Sequence, residues 1–439
     1  MVLFHSNIFI LYFFPLTLFL LFISSKIKFD GKIILILASL LFYSWWNINY
    51  LPLIILSIFV NFFLGKKIQR SHKKKIFLLF FSIIFNIGIL FSFKYADFFI
   101  SNYNFLTNSE IDKLNLPFPL GISFYTFQIV TYLVDCYYGK IALHKFKNFA
   151  LFVVFFPQLI AGPIIKYNFL IHQLDVKKLF ILKINNILKG LILFIIGFIK
   201  KVFFADQLSL IVDSGYLNYQ NLNFLESWMT SLAFTFQIYF DFSGYVDMAL
   251  GCALMLNIIL PINFNSPYKA YNIINFWKKW HITLAEFLMN YIYYPLLRSL
   301  PVISFFLVML VTIIVFFLAG LWHGPSWMFI TFGLIHGMGV VFNHCKEKFF
   351  NFKIYLPLSI FLTFNYVNLS FVIFRSENFE QAFVIIYKMF NFRSFEISLL
   401  QNISLDQILL KNLILLLISI LTVFVFKNSD HLVNSKYLK

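Results

Sequence analysis

Charge is what this chain has least of. Asp, Glu, Lys and Arg make up 12% of its 439 residues, against about 25% in soluble domains. That scarcity excludes a water-soluble fold. Acids are rarer still than bases, 18 against 35. The surplus of +17 serves topology and anionic lipid contact. It does not serve nucleic acid, because no soluble basic domain is present to grip a duplex. Cysteine is nearly absent: Cys136, Cys252 and Cys345 stand far apart. That spacing offers no metal site, and no structural disulfide is expected. Two-residue alternation of apolar and polar positions is missing as well. This excludes a transmembrane β-barrel and leaves helices as the spanning element. No Ser/Pro-rich linker divides the chain, so 1–439 reads as a single domain.

What remains is apolar: 61% hydrophobic, 21% aromatic. Runs of about 17–25 apolar residues mark membrane helices. The sequence therefore predicts an all-α, polytopic membrane protein with about eleven transmembrane helices. The runs are 7–23, 33–46, 50–64, 76–93, 117–134, 186–204, 228–256, 303–319, 326–342, 355–374 and 405–426. Shorter pieces at 149–163, 283–297 and 380–391 suit re-entrant or interfacial helices. The first run, Asn7 to Ile23, lacks a basic flank and a small-residue cleavage site. It reads as a retained span and not a cleaved signal.

Lysine and arginine set the expected topology. Lys26, Lys28 and Lys32 follow the first run; Lys66, Lys67, Arg70 and Lys73 to Lys75 follow the third. Both loops should be cytoplasmic, with the N-terminus outside and Asn47-Ile48-Asn49 as an outer turn. The charge-balanced loop 94–116 suits the outer side. The segment 135–189 holds eight lysines against Asp135 and Asp175, an inner signal. Phe149 to Pro163 lies within it and should dip into the membrane and return, with Gln158 at the tip of an inner vestibule. Two prolines and a glycine in Phe156-Pro157-Gln158-Leu159-Ile160-Ala161-Gly162-Pro163 rule out a plain helix there.

Chemistry should concentrate between Phe276 and Trp327, where two Trp-His pairs end an apolar run. Imidazole is the side chain best suited to moving protons near neutral pH. His281 follows Trp277, Lys278, Lys279 and Trp280. These read either as interfacial anchors at headgroup level or as the flank of a functional histidine. His323 sits in Gly320-Leu321-Trp322-His323-Gly324-Pro325, where broken helix geometry is expected. It reads as a general base or as an ordinary turn residue. On this pattern the stretch is a route with two stations, His281 near the inner interface and His323 deeper. His336 reads as a satisfied polar residue of the bundle. His5, His72, His144, His172, His344 and His431 fall in loops or ends. A second polar cluster runs from Tyr239 to Met248. Asp241 and Tyr245 share a helical face at i, i+4. Asp247 is six residues from Asp241, off that face, and suits a solvated inner end. Ionised acids at mid-bilayer cost about 2.5–3.5 kcal/mol, so such residues face a wet cavity or a partner.

Six stretches, taken together, resemble the membrane-bound O-acyltransferase family. They are Pro119 to Gln128 running to Asp135, Phe156 to Pro163, Phe240 to Asp247, Asn263 to Tyr268, Phe276 to Leu284, and Gly320 to Gly324. They cover about residues 117–340 in the family's order. The resemblance is to its bacterial branch, the membrane subunits of alginate and peptidoglycan O-acetylation. Relatives usually carry an Arg-Asp pair where this chain has Met289-Asn290. The resemblance implies helices around a central tunnel. It implies His323 and His281 as the catalytic histidines, with Asp241, Tyr245, Gln158, Trp280 and Trp322 as substrate-binding candidates. It further implies no bound cofactor and no metal, and a cytoplasmic thioester donor such as acetyl-CoA. The partners implied are the lipid bilayer and either an extracellular acetyltransferase or a carrier protein. The location implied is the bacterial inner membrane. The rival readings are D-alanyl transfer to teichoic acid and a transporter or flippase without chemistry.

Overall fold

The structure, a computed structural model, describes residues 3–141, 145–174, 179–181, 183–350, 354–392 and 407–433. His144, Asp175, Lys177 and Lys178 of the sequence reading, and the first two residues of the 405–426 run, lie outside them. All regular structure among the described residues is helical. The chain forms two compact units. The first holds residues up to Ile195 together with Tyr245–Ile262; the second holds Ile196–Gly244 and the chain from Asn263 onward.

The first unit contains α1 (Phe14–Lys26), α2 (Gly31–Ser44), α3 (Leu51–Arg70), α4 (Lys75–Lys94), α5 (Ala96–Thr107), α6 (Ile122–Tyr137), α7 (Phe146–Val154), α8 (Phe156–Leu159) and α9 (Tyr167–Leu174). It also takes most of α10 (Ile184–Ile199) and the last turns of α12 (Phe224–Met255). Asn61 of α3 and Asn86 of α4 exchange amide hydrogen bonds, 3.0 and 2.7 Å, deep between apolar helices. Each amide would otherwise be buried unsatisfied, which is costly away from water. Lys147 pairs with Asp30 at 2.9 Å, and Lys32 Nζ donates to Asn148 at 2.9 Å. The two lysine-rich segments assigned to one side of the membrane thus meet.

The second unit contains α11 (Asp206–Leu217), reached from α10 through a π-helical turn at Lys200–Ala205, and the first five turns or so of α12. It continues with α13 (Ile273–Trp277), α14 (Ile282–Leu288), α15 (Tyr294–Ser299), α16 (Phe305–His323), α17 (Trp327–Cys345), α18 (Leu356–Arg375), α19 (Phe379–Phe390), α20 (Gln407–Val425) and α21 (Ser429–Val433). α16 and α17 form a tight hairpin. A Cβ on Gly333 would lie 2.3 Å from the Phe316 carbonyl oxygen and 2.9 Å from Gly320 Cα. Only glycine lets the two backbones approach this closely, as in membrane helix pairs generally.

Among the described residues, six helices are long and apolar enough to cross a membrane: Phe9–Lys26, Ile48–Arg70, Lys75–Lys94, Phe305–His323, Trp327–Phe350 and Leu356–Arg375. This falls short of the eleven spans expected. The other five runs are helical over most of their described residues, but Gly31–Ser44 and Leu409–Val425 are shorter. α12 has the length, yet Glu226, Gln237, Asp241 and Asp247 dilute its apolar character. The histidines assigned to loops are partly helical: His172 is in α9, His344 in α17 and His431 in α21.

Candidate active site

Local capping decides where His281 stands. Asn272 caps α13 by accepting from the Asn275 amide at 2.7 Å, and α14 begins at Ile282. His281 lies between, at φ 45° and ψ 52°. Left-handed backbone is uncommon for residues other than glycine, although histidine adopts it more readily than most. Such a conformation persists where the surroundings over-determine it. Here the Asn263 carbonyl accepts from the Ile282 amide at 3.0 Å, and Asn265 N–H donates to the Lys279 carbonyl at 2.9 Å. Asn263 Oδ1 accepts from both the amide and the hydroxyl of Thr283, at 3.1 and 3.0 Å. The 263–265 segment is a strap that fixes 279–283 and His281 within it.

His281 is buried, with its ring 4.8 Å from Phe242 and 5.7 Å from Trp322. Its Nδ1 has no hydrogen-bond partner among the described residues. Burial first, and then the nearby His323, pushes its pKa down to about 3. The ring is therefore neutral at physiological pH. Because the folded pKa lies below the unfolded value, the unfolded chain binds the extra proton. Stability contributed by His281 is present above about pH 6.5 and is lost as pH falls towards 3. A thermal-melt series in detergent between those limits should show a steeper acid loss for wild type than for His281→Gln. Parallel curves would remove His281 from this role.

His323 is the last residue of α16. Gly324, with extended backbone, ends the helix, and Ser326 caps α17 by accepting from the Met328 amide at 3.2 Å. The break expected around Gly324 and Pro325 is thus the turn of the hairpin. The His323 ring lies 5.0 Å from Trp322, 5.2 Å from Phe374 and 5.8 Å from Phe332. It is half-buried, whereas His281 and His336 are fully enclosed.

His336 on α17 is held at both nitrogens. Trp277 Nε1–H donates to Nδ1 at 3.2 Å, and Nε2 is 2.8 Å from Ser370 Oγ, which donates to the Val367 carbonyl at 2.7 Å. An indole can only donate, so Nδ1 is the acceptor and the proton sits on Nε2. This is the satisfied residue of the bundle that the sequence suggests. Its ring is 4.5 Å from Phe332, which also contacts His323.

His281 and His323 therefore flank one ring, Trp322. Two separated stations along a route are corrected to one cluster, because the hairpin and the 263–265 strap fold the sequence ends of the stretch together. The anchor reading of Trp277 and Trp280 is corrected too. Both are buried, Trp277 against His336 and Trp280 against Phe264, Phe276 and Phe371, at 5.1, 5.6 and 5.5 Å.

The remaining candidates are dispersed. Asp241 is ion-paired with Lys201 at 2.5 Å, and Lys201 also holds Asp206 at 2.8 Å. Tyr245, on the same helix, is half-buried in the first unit and stacks on Phe4 at 4.8 Å. Asp247, expected to be solvated, is buried. Gln158, expected at an open vestibule tip, is fully buried and donates to the Phe152 carbonyl at 2.6 Å. Among the described residues no group of three His, Cys, Asp or Glu side chains could hold a metal ion. The sequence reading passed over Asn263, Trp277 and Ser370 as site residues. Asn263 opens a motif and could have been found; Ser370 lies 34 residues from His336 with no local signal.

Residues 40–353 match the profile of MBOAT, the membrane-bound O-acyltransferase family. The chain is 40% identical over 422 residues to the peptidoglycan O-acetyltransferase of Helicobacter pylori, an alignment covering 88% of this chain and 79% of that one. It is 33% identical over 421 residues to the probable alginate O-acetylase AlgI of Pseudomonas aeruginosa, covering 94% and 79%. Similarity to the teichoic acid D-alanyltransferase of Bacillus subtilis is lower, 27% over 297 residues, covering 61% and 71%. A buried histidine beside a half-buried one, on a chain of apolar helices and with this extent of likeness, leads to one conclusion: the chain belongs to the membrane-bound O-acyltransferase family and is an O-acyltransferase.

Proposed function

We propose that the protein transfers an acetyl group from a cytoplasmic thioester, acetyl-CoA or a similar donor, towards a hydroxyl of a cell-envelope polysaccharide. The acceptor is of the peptidoglycan or alginate type, reached directly or through an extracellular acetyltransferase partner. The site lies in the bacterial inner membrane, with the N-terminus outside and the whole chain acting as one functional domain. The observation that carries this reading is the unequal exposure of the histidines. His323 alone of the three clustered rings is open enough to meet a substrate. It acts as general base. The acceptor hydroxyl gives its proton to the imidazole as its oxygen attacks the thioester carbonyl. The carbon–sulfur bond then breaks, and the thiolate leaves and recovers the proton. Neutral His281, held by Asn263 through the strap, positions the reacting groups from behind Trp322. The higher identity to O-acetyltransferases than to D-alanyltransferases favours acetyl over D-alanyl.

Mass analysis of envelope polymers from cells with and without the gene tests the donor. Loss of O-acetyl groups on deletion is expected. Loss of D-alanyl esters with acetyl groups intact would replace this reading.

A further inference from the structure

In the second unit, α19 turns an aromatic face away from the protein. Phe379, Phe383, Tyr387 and Phe390 follow one another at helical spacing and form one stripe. All four are between 50% and 70% exposed. The opposite face is held down: Gln381, Ala382, Ile385 and Met389 are buried. Gln381 Nε2–H donates to the Tyr216 carbonyl at 2.9 Å, and Trp228 Nε1–H donates to the Met389 carbonyl at 2.7 Å. The two charged residues of the helix leave the stripe apolar. Lys388 Nζ turns back to donate to the Gln220 and Leu222 carbonyls, and Glu380 stands in the first turn. Left in water, such a patch would be unusual on a monomeric protein.

The neighbouring segment identifies the surface that covers this face. α18 has the length and composition to cross a membrane and ends at Arg375; only Ser376, Glu377 and Asn378 separate it from α19. α19 therefore starts at the level where a span leaves the hydrocarbon. Its 12 residues reach about 18 Å, too short for a core of about 30 Å. Trp228 stands at its C-terminal end, with its ring 6.1 Å from that of Phe390. Trp and Tyr rings collect at the headgroup level, where one side is apolar and the other wet. Of the two courses open to residues 380–391, re-entrant and interfacial, these rings fit the second. We propose that the aromatic face of α19 docks on the lipid–water interface. The helix lies along the membrane surface without crossing, with Phe379, Phe383, Tyr387 and Phe390 among the glycerol and upper acyl groups. The inference rests on membrane embedding and not on acetyl transfer, so either can fail without the other.

The test uses the full-length protein in phosphatidylcholine liposomes, with Cys345→Ser removing the one cysteine that is not buried. A nitroxide is attached at Phe383→Cys or, separately, at Tyr387→Cys. Leu362→Cys, exposed within α18, gives the hydrocarbon reference, and a free nitroxide in buffer gives the water reference. Paramagnetic resonance reads collision with oxygen, which enriches in lipid, and with a nickel chelate, which stays in water. Both α19 labels should give an oxygen-to-nickel ratio severalfold above the buffer value and severalfold below that of Leu362→Cys. Both substitutions replace exposed side chains, and elution as wild type on size exclusion shows that the variants fold. A ratio equal to the buffer value, or equal to that of Leu362→Cys, overturns the proposal. So does low collision with both reagents, which would mean that another protein surface covers the face.

Discussion

His323→Ala should reduce acyl transfer by about 10²–10⁴-fold, the usual worth of a positioned general acid–base. The expectation rests on exposure and location together. The ring ends α16 at the hairpin turn, half-buried, with Trp322, Phe332 and Phe374 fixing its plane. The ring is half-buried at a helix end, so its truncation opens little enclosed space. The variant should therefore assemble normally, elute as wild type on size exclusion, and fail in chemistry. Acceptor O-acylation in cells and thioester turnover by purified protein both report on it. Wild-type activity in a well-folded His323→Ala protein would end the assignment. The matching His281→Ala variant should lose less, because that ring acts from behind Trp322.

Gly333→Val should have the second large effect, and through the fold. Its Cβ would meet the Phe316 carbonyl oxygen at 2.3 Å and its other neighbour is Gly320 Cα at 2.9 Å. Both are backbone atoms, which cannot swing away as a flexible side chain could. α16 and α17 must separate, at about 2–3 kcal/mol or more. Separation also carries His323 away from Phe332 and pulls His336 from Trp277 and Ser370. Aggregated elution and a lowered melting midpoint are the expected readouts. A monodisperse protein melting with wild type would contradict the packing of this hairpin.

How much of this was legible in the sequence follows from what each feature depends on. The apolar runs and the turn at Gly324 and Pro325 are local, and both became helices and a hairpin bend. The crossing count was less legible, because a run of apolar residues fixes helicity and burial better than it fixes which helices cross. α12 shows the difference: it is long and mostly apolar, yet it threads Asp241 and Asp247 through two units. The histidines were found as residues but not as a cluster. Their convergence depends on Gly320 meeting Gly333 and on Asn263 meeting Thr283, contacts between segments 13 and 20 residues apart. Spacing along the chain pointed to separation, and the folds of the backbone reversed it.

The hydrogen bonds around His336 have a consequence for where a proton can travel. Trp277 offers a proton to Nδ1 and cannot accept one, so a second proton on that ring would set two donors face to face. His336 is thus a dead end for protons, although Phe332 contacts both its ring and that of His323. In the proposed mechanism a proton taken up by His323 therefore does not pass on to His336, and the leaving thiolate recovers it.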